Sequence, residues 1–375
     1  MIYLDNAATT RPCPEAVEAM EGALRECWGN PSATHGPGRA ARTLLEDSRK
    51  AVMSALGAKS GSLIFTSGGT EADNQALKGA ARLMRRVGKH LISSQAEHDA
   101  VLKTLEELSG EGWEVTLLPP DEYGRVPLSA LEEALREDTA LVSLMLVNNE
   151  TGGINDIPAV KELLRRRGSA ALLHTDAVQA FGKLPMNPKA LGADLITLSS
   201  HKIGGPKGAG ALWVREGLRF PALIQGGGQE GGLRSGTEAM PAIAGFGAAA
   251  RAAGSRNPRE ESLRFISLRN ALAGALPEAV LIGRDSDACA GHICCVSFPG
   301  ARAEVLQNWL DSRGICVSRG SACARGRRSH VLTAMGLSPA FIDGALRVSF
   351  SPETTEEEVL EFARQVREAK LRFFH

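Results

Sequence analysis

Between residues 60 and 215 the chain alternates short apolar or β-branched runs with longer amphipathic segments, and this alternation constrains the fold more than any other feature. Ser62–Thr66, Leu91–Ser93, Glu114–Leu118, Leu141–Val147, Ala171–Leu173, Leu195–Leu198 and Ala211–Val214 read as strands. Glu71–Arg85, Ala100–Leu108, Leu128–Arg136 and Ala159–Arg167 read as helices. A strand, a helix and another strand in sequence call for a crossover, so the pattern predicts an α/β architecture with a mostly parallel sheet covered on both faces. In such sheets the functional residues collect beyond the carboxyl ends of the strands. Downstream, the Ala- and Gly-rich helix Glu238–Ala253 ends at the polar break 254–259, and another helix follows. Strands near Ile293–Phe298, Ile315–Ser318 and Leu346–Phe350, with helices Ala303–Ser312 and Thr355–Lys370, predict a smaller α+β unit.

Composition narrows the choice of partner. In 375 residues, 43 Lys and Arg are balanced by 43 Asp and Glu, which leaves no basic excess for nucleic acid or an anionic membrane. Met1–Asn6 has neither the basic start nor the apolar stretch of a secretory signal. No segment reaches the roughly 18 consecutive apolar residues of a membrane span. The seven cysteines are odd in number, which argues against a disulfide framework. The expectation is a cytoplasmic protein with reduced thiols acting on a small molecule.

Three strand ends carry chemistry. At Thr66-Ser67-Gly68-Gly69-Thr70-Glu71 a strand stops, a Gly pair turns and a helix begins. Its free amides and dipole suit one phosphate, though a plain N-cap reads equally well. Neither a third Gly of a dinucleotide fingerprint nor a Gly-Lys-Ser/Thr follows. Asp176, after the apolar run Ala171–Leu173, is placed to face a ligand, although a lone Asp there is more often a helix cap. Lys202 lies in Ser199-Ser200-His201-Lys202-Ile203-Gly204-Gly205, where a solvated loop Lys is the default reading of the residue by itself. Taken together, a phosphate seat, an acid for a ring nitrogen and an amine for a Schiff base are what pyridoxal 5'-phosphate requires.

With these residues the chain resembles the cysteine desulfurases of the NifS/IscS type, class-V members of the fold-type I pyridoxal-phosphate enzymes. The resemblance runs almost end to end, through Tyr3–Thr10, Gly29-Asn30-Pro31-Ser32, Ser67–Glu71, Glu97-His98, Val147–Gly152, Thr175–Gln179, Ser200–Gly208, Gly227–Glu230, Arg234–Thr237, Gly320-Ser321-Ala322-Cys323 and Leu346–Phe350. It implies an aspartate-aminotransferase-like fold with a seven-stranded sheet. The large domain would span residues 12–256, and residues 1–11 with 257–375 would form the small one.

The resemblance also implies roles. Lys202 is the Schiff-base lysine, Asp176 pairs with the pyridinium nitrogen, Gln179 contacts the phenolic oxygen, and His98 stacks on the ring and moves protons. Gly69, Thr70, Ser199 and His201 bind the phosphate, while Thr237 reaches the phosphate of the neighbouring subunit's cofactor, which implies a homodimer. Asn149, also a cofactor contact, and Arg347 take the substrate carboxylate. Cys323 is the nucleophile that takes sulfur from L-cysteine as a persulfide, releases alanine, and passes the sulfur to an acceptor protein, either an Fe–S cluster scaffold or a thiolation enzyme.

Arg319, Arg325, Arg327 and Arg328 around Cys323 favour the thiolate. They also distinguish the loop from the uncharged one usual in the iron–sulfur branch, which suggests docking on an acidic acceptor surface. A selenocysteine lyase or another class-V aminotransferase is the alternative enzyme, and a non-catalytic scaffold the alternative outside catalysis.

Overall fold

The computed structural model describes residues 1–283, 289–320 and 328–374. The chain opens with β1 (Ile2–Tyr3), makes a turn at residues 6–8, and after residue 13 forms two helices, α1 (Pro14–Glu26) and α2 (Gly36–Ala55). The alternating stretch then gives β2 (Ser62–Thr66), α3 (Gly69–Met84), β3 (His90–Ser94), α4 (Asp99–Gly110), β4 (Glu114–Leu118) and α5 (Leu128–Ala134). It continues with β5 (Thr139–Ser143), α6 (Ile157–Arg166), β6 (Leu172–Asp176), α7 (Pro188–Leu191), β7 (Leu195–Ser199) and β8 (Gly210–Val214). After the long helices α8 (Met240–Gly254) and α9 (Pro258–Ala275) come β9 (Val280–Ile282), β10 (Ile293–Ser297), α10 (Ala303–Ser312) and β11 (Ile315–Cys316). The chain closes with α11 (His330–Ala334), α12 (Pro339–Asp343), β12 (Ala345–Ser349) and α13 (Glu356–Phe373).

The expected sheet is present. Seven strands lie in the order β2-β8-β7-β6-β5-β3-β4, and β8 alone runs antiparallel to its neighbours. Strands β3, β5, β6 and β7 are buried along their whole length, which is why their sequences read as unbroken apolar or small-residue runs rather than alternating ones. One boundary differs from expectation. The apolar run at 141–147 leaves the sheet after Ser143, yet the amides of Leu144 and Leu146 still bond the carbonyls of His174 and Asp176. Burial therefore continues past the strand, and hydrophobicity alone could not mark its end. Because β2, β3, β5, β6 and β7 point the same way, the loops after Thr66, Ser94, Ser143, Asp176 and Ser199 leave at one edge.

Helix α8 explains its own composition. It is wedged against α1 and α2, where a Cβ on Gly245 would lie 2.7 Å from Met20 Cγ and one on Gly247 only 2.7 Å from Ser48 Cα. Small residues let three helices approach where larger ones would hold them apart. The second sheet is antiparallel, β12-β10-β9, and packs with α9, α10 and α13 around Phe265, Phe298, Leu306, Val348 and Phe362. Leu4, fully buried, belongs to this cluster, while Ala7 three residues later belongs to the core of the large sheet. The parallel pairing of β1 with β11 is what brings the first residues there. Among the described residues no helix is long and apolar enough to cross a membrane.

Two glycine substitutions separate packing from propensity. Gly247→Val must push α8 off α2 and should cost about 1–3 kcal/mol. Gly274→Ala, at an exposed position in α9 with open space around it, should gain about 0.5–1 kcal/mol. Calorimetric unfolding temperatures should move in opposite directions; a shift of the same sign in both would contradict the packing assigned to α8.

Candidate active site

Strand β7 ends at Ser199 and passes into a single 3-10 turn, Ser200–Lys202. The turn is tight because Gly205 follows: a Cβ there would come 2.0 Å from Ser200 Oγ. Lys202 Nζ donates to the backbone carbonyls of Ala7 (2.6 Å) and Ala8 (2.8 Å). The adjacent Thr10 bonds the His201 carbonyl through both its amide and its hydroxyl, and Thr9 Oγ1 meets His201 Nδ1 at 3.2 Å. Burial and the nearby lysines push the His201 pKa down to about 4, so the ring is neutral at neutral pH.

Helix α3 begins beside this turn. Gly68 and Gly210 are in close backbone contact, a Cβ on Gly210 lying 2.5 Å from the Gly68 carbonyl carbon. A Cβ on Gly69 would touch Val178 Cγ2 at 3.0 Å and lie 3.7 Å from Ser199 Cβ. The first amides of α3 therefore face the ends of β6 and β7. In the same place the buried hydroxyls of Ser199 and Ser200 have no hydrogen-bond partner among the described residues. Unfilled donors beside a helix N-terminus suit a phosphate.

Asp176 ends β6, almost wholly buried, with Oδ1 accepting from the Val178 amide at 2.8 Å. Burial raises its pKa, while the Val178 hydrogen bond and the charges of His98 and Lys202 pull it back. Two further carboxyls are buried behind it. Asp73 on α3 lies 3.6 Å from His174 Nε2, and Glu97 accepts from the Met145 amide at 2.6 Å. Burial, reinforced by repulsion from Asp176, raises both pKa values well above the usual range, so these two are neutral acids. Asp176 is the member of the trio that faces Lys202 and His98, whose charges oppose the effect of burial on its pKa. His98 caps α4, its Nδ1 accepting from the Ala100 amide at 3.1 Å. A neutral ring in this position carries its proton on Nε2.

The second sheet contributes Arg347, 2% exposed on β12. Its guanidinium bonds Asp5 Oδ1 and the Asn149 carbonyl, each at 2.9 Å, and Nε has no partner among the described residues. Asn149 rides on a turn that Asn148 Oδ1 closes by accepting from the amides of Glu150 and Thr151. Its own Oδ1 is buried and unfilled among the described residues. Gln179 donates from Nε2 to the Ala7 carbonyl at 2.9 Å.

The strand ends thus bring together Gly69, Asp176, Gln179, Ser199, His201 and Lys202, with His98 entering from the loop after β3 and Arg347 with Asn149 joined through a carbonyl. Thr70 and Thr237 are exposed, and no hydrogen bond links Thr237 to the others among the described residues. Cys323 lies outside the described residues. Its flanks do not: Ser318 bridges Arg347 through both backbone hydrogen bonds, Ser329 Oγ donates to Glu150 Oε2, and Arg328 binds Asp343 through two contacts of 2.7 Å. Burial pushes the thiol of Cys294 up to about 12 and raises those of Cys295, Cys13 and Cys316, so none of these four offers a thiolate at neutral pH.

Four residues escaped the sequence reading: Asp5, Asp73, Glu97 and Lys183. Asp5 and Glu97 stand inside quoted motifs and Asp73 two residues after one, but only their burial and partners single them out. Among the described residues no cluster of His, Cys, Asp and Glu is arranged for a metal ion.

His174 supplies a test. It is fully buried, bonded to Ser143 Oγ at 2.8 Å and Thr197 Oγ1 at 3.1 Å, and burial lowers its pKa from 6.5 to about 3. As pH falls, the unfolded chain protonates this ring below its unfolded pKa, whereas the folded chain refuses the proton until about pH 3. Stability is therefore lost across that window at up to about 1.4 kcal/mol per pH unit. His174→Gln should flatten the acid-side slope in denaturant melts; an unchanged slope would contradict the assignment of a neutral buried ring.

Comparison with known proteins agrees with this geometry. Residues 2–362 match the family described as Aminotransferase class-V. The cysteine desulfurase IscS of Methanosarcina thermophila is 42% identical over 96% of this chain and 89% of its own length. A solved NifS-like protein superposes with TM-score 0.92 at 38% identity, covering 100% of both chains. SspA, solved in complex with cysteine, superposes with TM-score 0.82 at 32% identity over 95% of this chain and all of its own.

Proposed function

The chain belongs to the class-V aminotransferase family, a family of pyridoxal-phosphate enzymes, and on that premise we propose that it is a cysteine desulfurase that converts L-cysteine to L-alanine. One observation carries the reading: an amine, an ionisable buried acid and a set of unfilled phosphate donors meet at one edge of the sheet. The donor set fits the cofactor, since the orphaned Ser199 hydroxyl and the amides of Gly69 and Thr70 match a phosphate while Asp176 matches a ring nitrogen. When bound, the cofactor supplies an electron sink for the charge left when a substrate α-proton departs.

The protein's own groups do the rest. Lys202 gives the amine that holds the cofactor and, once displaced, accepts a proton. Asp176, whose carboxyl is buried with Lys202 and His98 nearby, would pair with the ring nitrogen and hold a proton there. Gln179, fixed by Ala7, presents its remaining amide hydrogen to the phenolic oxygen. His98, oriented by the Ala100 amide on Nδ1, would lie against the cofactor ring and could move a proton at the substrate α-carbon through Nε2. Ser199, His201, Gly69 and Thr70 hold the phosphate. Arg347 and Asn149, also a cofactor contact, take the substrate carboxylate, for which the unpartnered Nε of Arg347 is available.

Cys323 thiolate attacks the sulfur of the bound cysteine. The new S–S bond forms as the C–S bond breaks, its electron pair returning to carbon, which is then protonated and leaves as alanine. The persulfide passes to an acceptor protein, an Fe–S scaffold or a thiolation enzyme, which the arginines of the loop meet through an acidic surface. The bridge between Ser318 and Arg347 supports this order of events, because it ties the start of the Cys323 loop to the carboxylate-binding strand. SspA, solved with cysteine, supports the substrate.

We also propose a homodimer, in which the exposed Thr237 completes the partner subunit's phosphate site, and a cytoplasmic location. The division into residues 12–256 and residues 1–11 with 257–375 belongs to the same reading; Leu4 packs in the core of the second sheet as that division requires, whereas Ala7 packs in the core of the large one.

Lys202→Ala should abolish the visible absorbance of the holoenzyme. Cys323→Ser should retain that absorbance and bring alanine release from L-cysteine down to background; undiminished release would refute the nucleophile. Reversing Arg325, Arg327 and Arg328 to Glu should slow transfer of labelled sulfur to acidic acceptors, and equal transfer to every acceptor would rule out the docking role.

A further inference from the structure

Lys183 has no part in the reaction described above, yet its place in the fold is costly. It is 7% exposed and makes no salt bridge with any carboxylate among the described residues. Charged amines are rarely buried without an acid, because desolvation is not offset. Gly182, at φ +70°, lets the chain pass closely between Ile203 and Ala253, where a Cβ would sit 3.0 and 3.1 Å from their side chains, and so delivers Lys183 to the interior.

There Lys183 Nζ donates to Gln179 Oε1 at 3.4 Å, Gln179 Nε2 donates to the Ala7 carbonyl at 2.9 Å, and the same carbonyl accepts from Lys202 Nζ at 2.6 Å. One hydrogen-bonded chain therefore joins the two lysines. It also fixes the Gln179 amide: with Oε1 turned to a donor, Nε2 faces Ala7 and the reaction site. Resting on the desulfurase reading of that site, we propose that Lys183 is a positioning residue that orients Gln179 and sets the positive charge behind Lys202.

The groups that face Lys183 from the surrounding elements are Lys202 and His201 on the 3-10 turn, Arg347 on β12, and His292 just before β10. His292 is neutral, held so by burial and by the charge of Lys183, against the opposing effect of a hydrogen bond to the Gln179 backbone. Burial first, then Lys202 and Arg347, lower the Lys183 pKa to about 7. Its charge therefore switches near neutral pH, and like charges lower each other's proton affinity, so a protonated Lys183 makes Lys202 and any cation formed there more acidic.

The test is a spectroscopic pH titration of the holoenzyme, following the visible absorbance that reports protonation at Lys202, in three proteins. Lys183→Met removes the charge at similar volume and should raise the midpoint by about half a pH unit or more. Lys183→Arg cannot shed its charge and should move the midpoint below that of the unsubstituted protein. Coincident midpoints in all three would overturn the proposal, as would a lowered melting temperature in Lys183→Met with its midpoint unmoved, which marks a purely structural lysine. Absence of any visible band in the unsubstituted holoenzyme preparation would overturn the cofactor reading itself, and this inference with it.

Discussion

Two main-chain carbonyls, those of Ala7 and Ala8, hold the amine of Lys202, and the rest of the site depends on where they are held. They belong to a turn, closed by the Ala8 amide on the Asp5 carbonyl, that both sheets grip. Asn6 Nδ2 and the Ala7 amide bond Ser349 on β12, Asp5 binds Arg347, and Thr9 and Thr10 close on His201. A carbonyl is a neutral acceptor, so it fixes the position of an amine without adding the full charge of a carboxylate that would hold its proton in place. Because the same short stretch carries the Arg347 partner and the Lys202 partners, the group that takes a carboxylate and the group that takes a carbonyl carbon are spaced by backbone geometry.

Charge is arranged around that segment in layers. Asp73 and Glu97 are neutral behind the sheet edge, His174 is neutral between them and β7, and Asp176 is the carboxyl whose pKa Lys202 and His98 pull down against burial. A second carboxylate ionised in so small a volume would cost several kcal/mol by repulsion and desolvation. Protonating the outer two removes the repulsion that would otherwise raise the Asp176 pKa further. The hydrogen bonds from Met145 to Glu97 and from Val178 to Asp176 fix these side chains without adding charge.

Much of this was legible in the chain. Each of the seven strands of the large sheet follows from a local apolar run, and the shared edge follows from their common direction. Gly69, Asp176, Ser199 and Lys202 were found because each stands within a few residues of a strand end. What local pattern could not supply was distance in space. The run at 141–147 is apolar to its end, so the departure of the chain after Ser143 left no mark in hydrophobicity. Helices α1 and α2 lie outside the alternation and are explained only by the Gly245 and Gly247 faces of α8. Lys183 reads as an ordinary surface lysine until its burial is seen, and the salt bridge of Asp5 with Arg347 joins residues 342 apart. Cys323 rests on its motif and on the anchoring of its flanks at Arg347, Glu150 and Asp343.

The pairing of β1 with β11 has a consequence for how the molecule is made. Residues 2 to 10 leave the ribosome some three hundred residues before Cys316, Arg347 and Ser349, which they must meet. The large sheet and its helices can collapse while synthesis continues, since their contacts are largely drawn from one contiguous stretch. Strand β1, by contrast, must wait unpaired until β11 and β12 have been made. Maturation of the catalytic cleft is therefore coupled to synthesis of the second sheet, and a product that stopped before β11 would retain a folded body without the buckle that seats its reactive lysine.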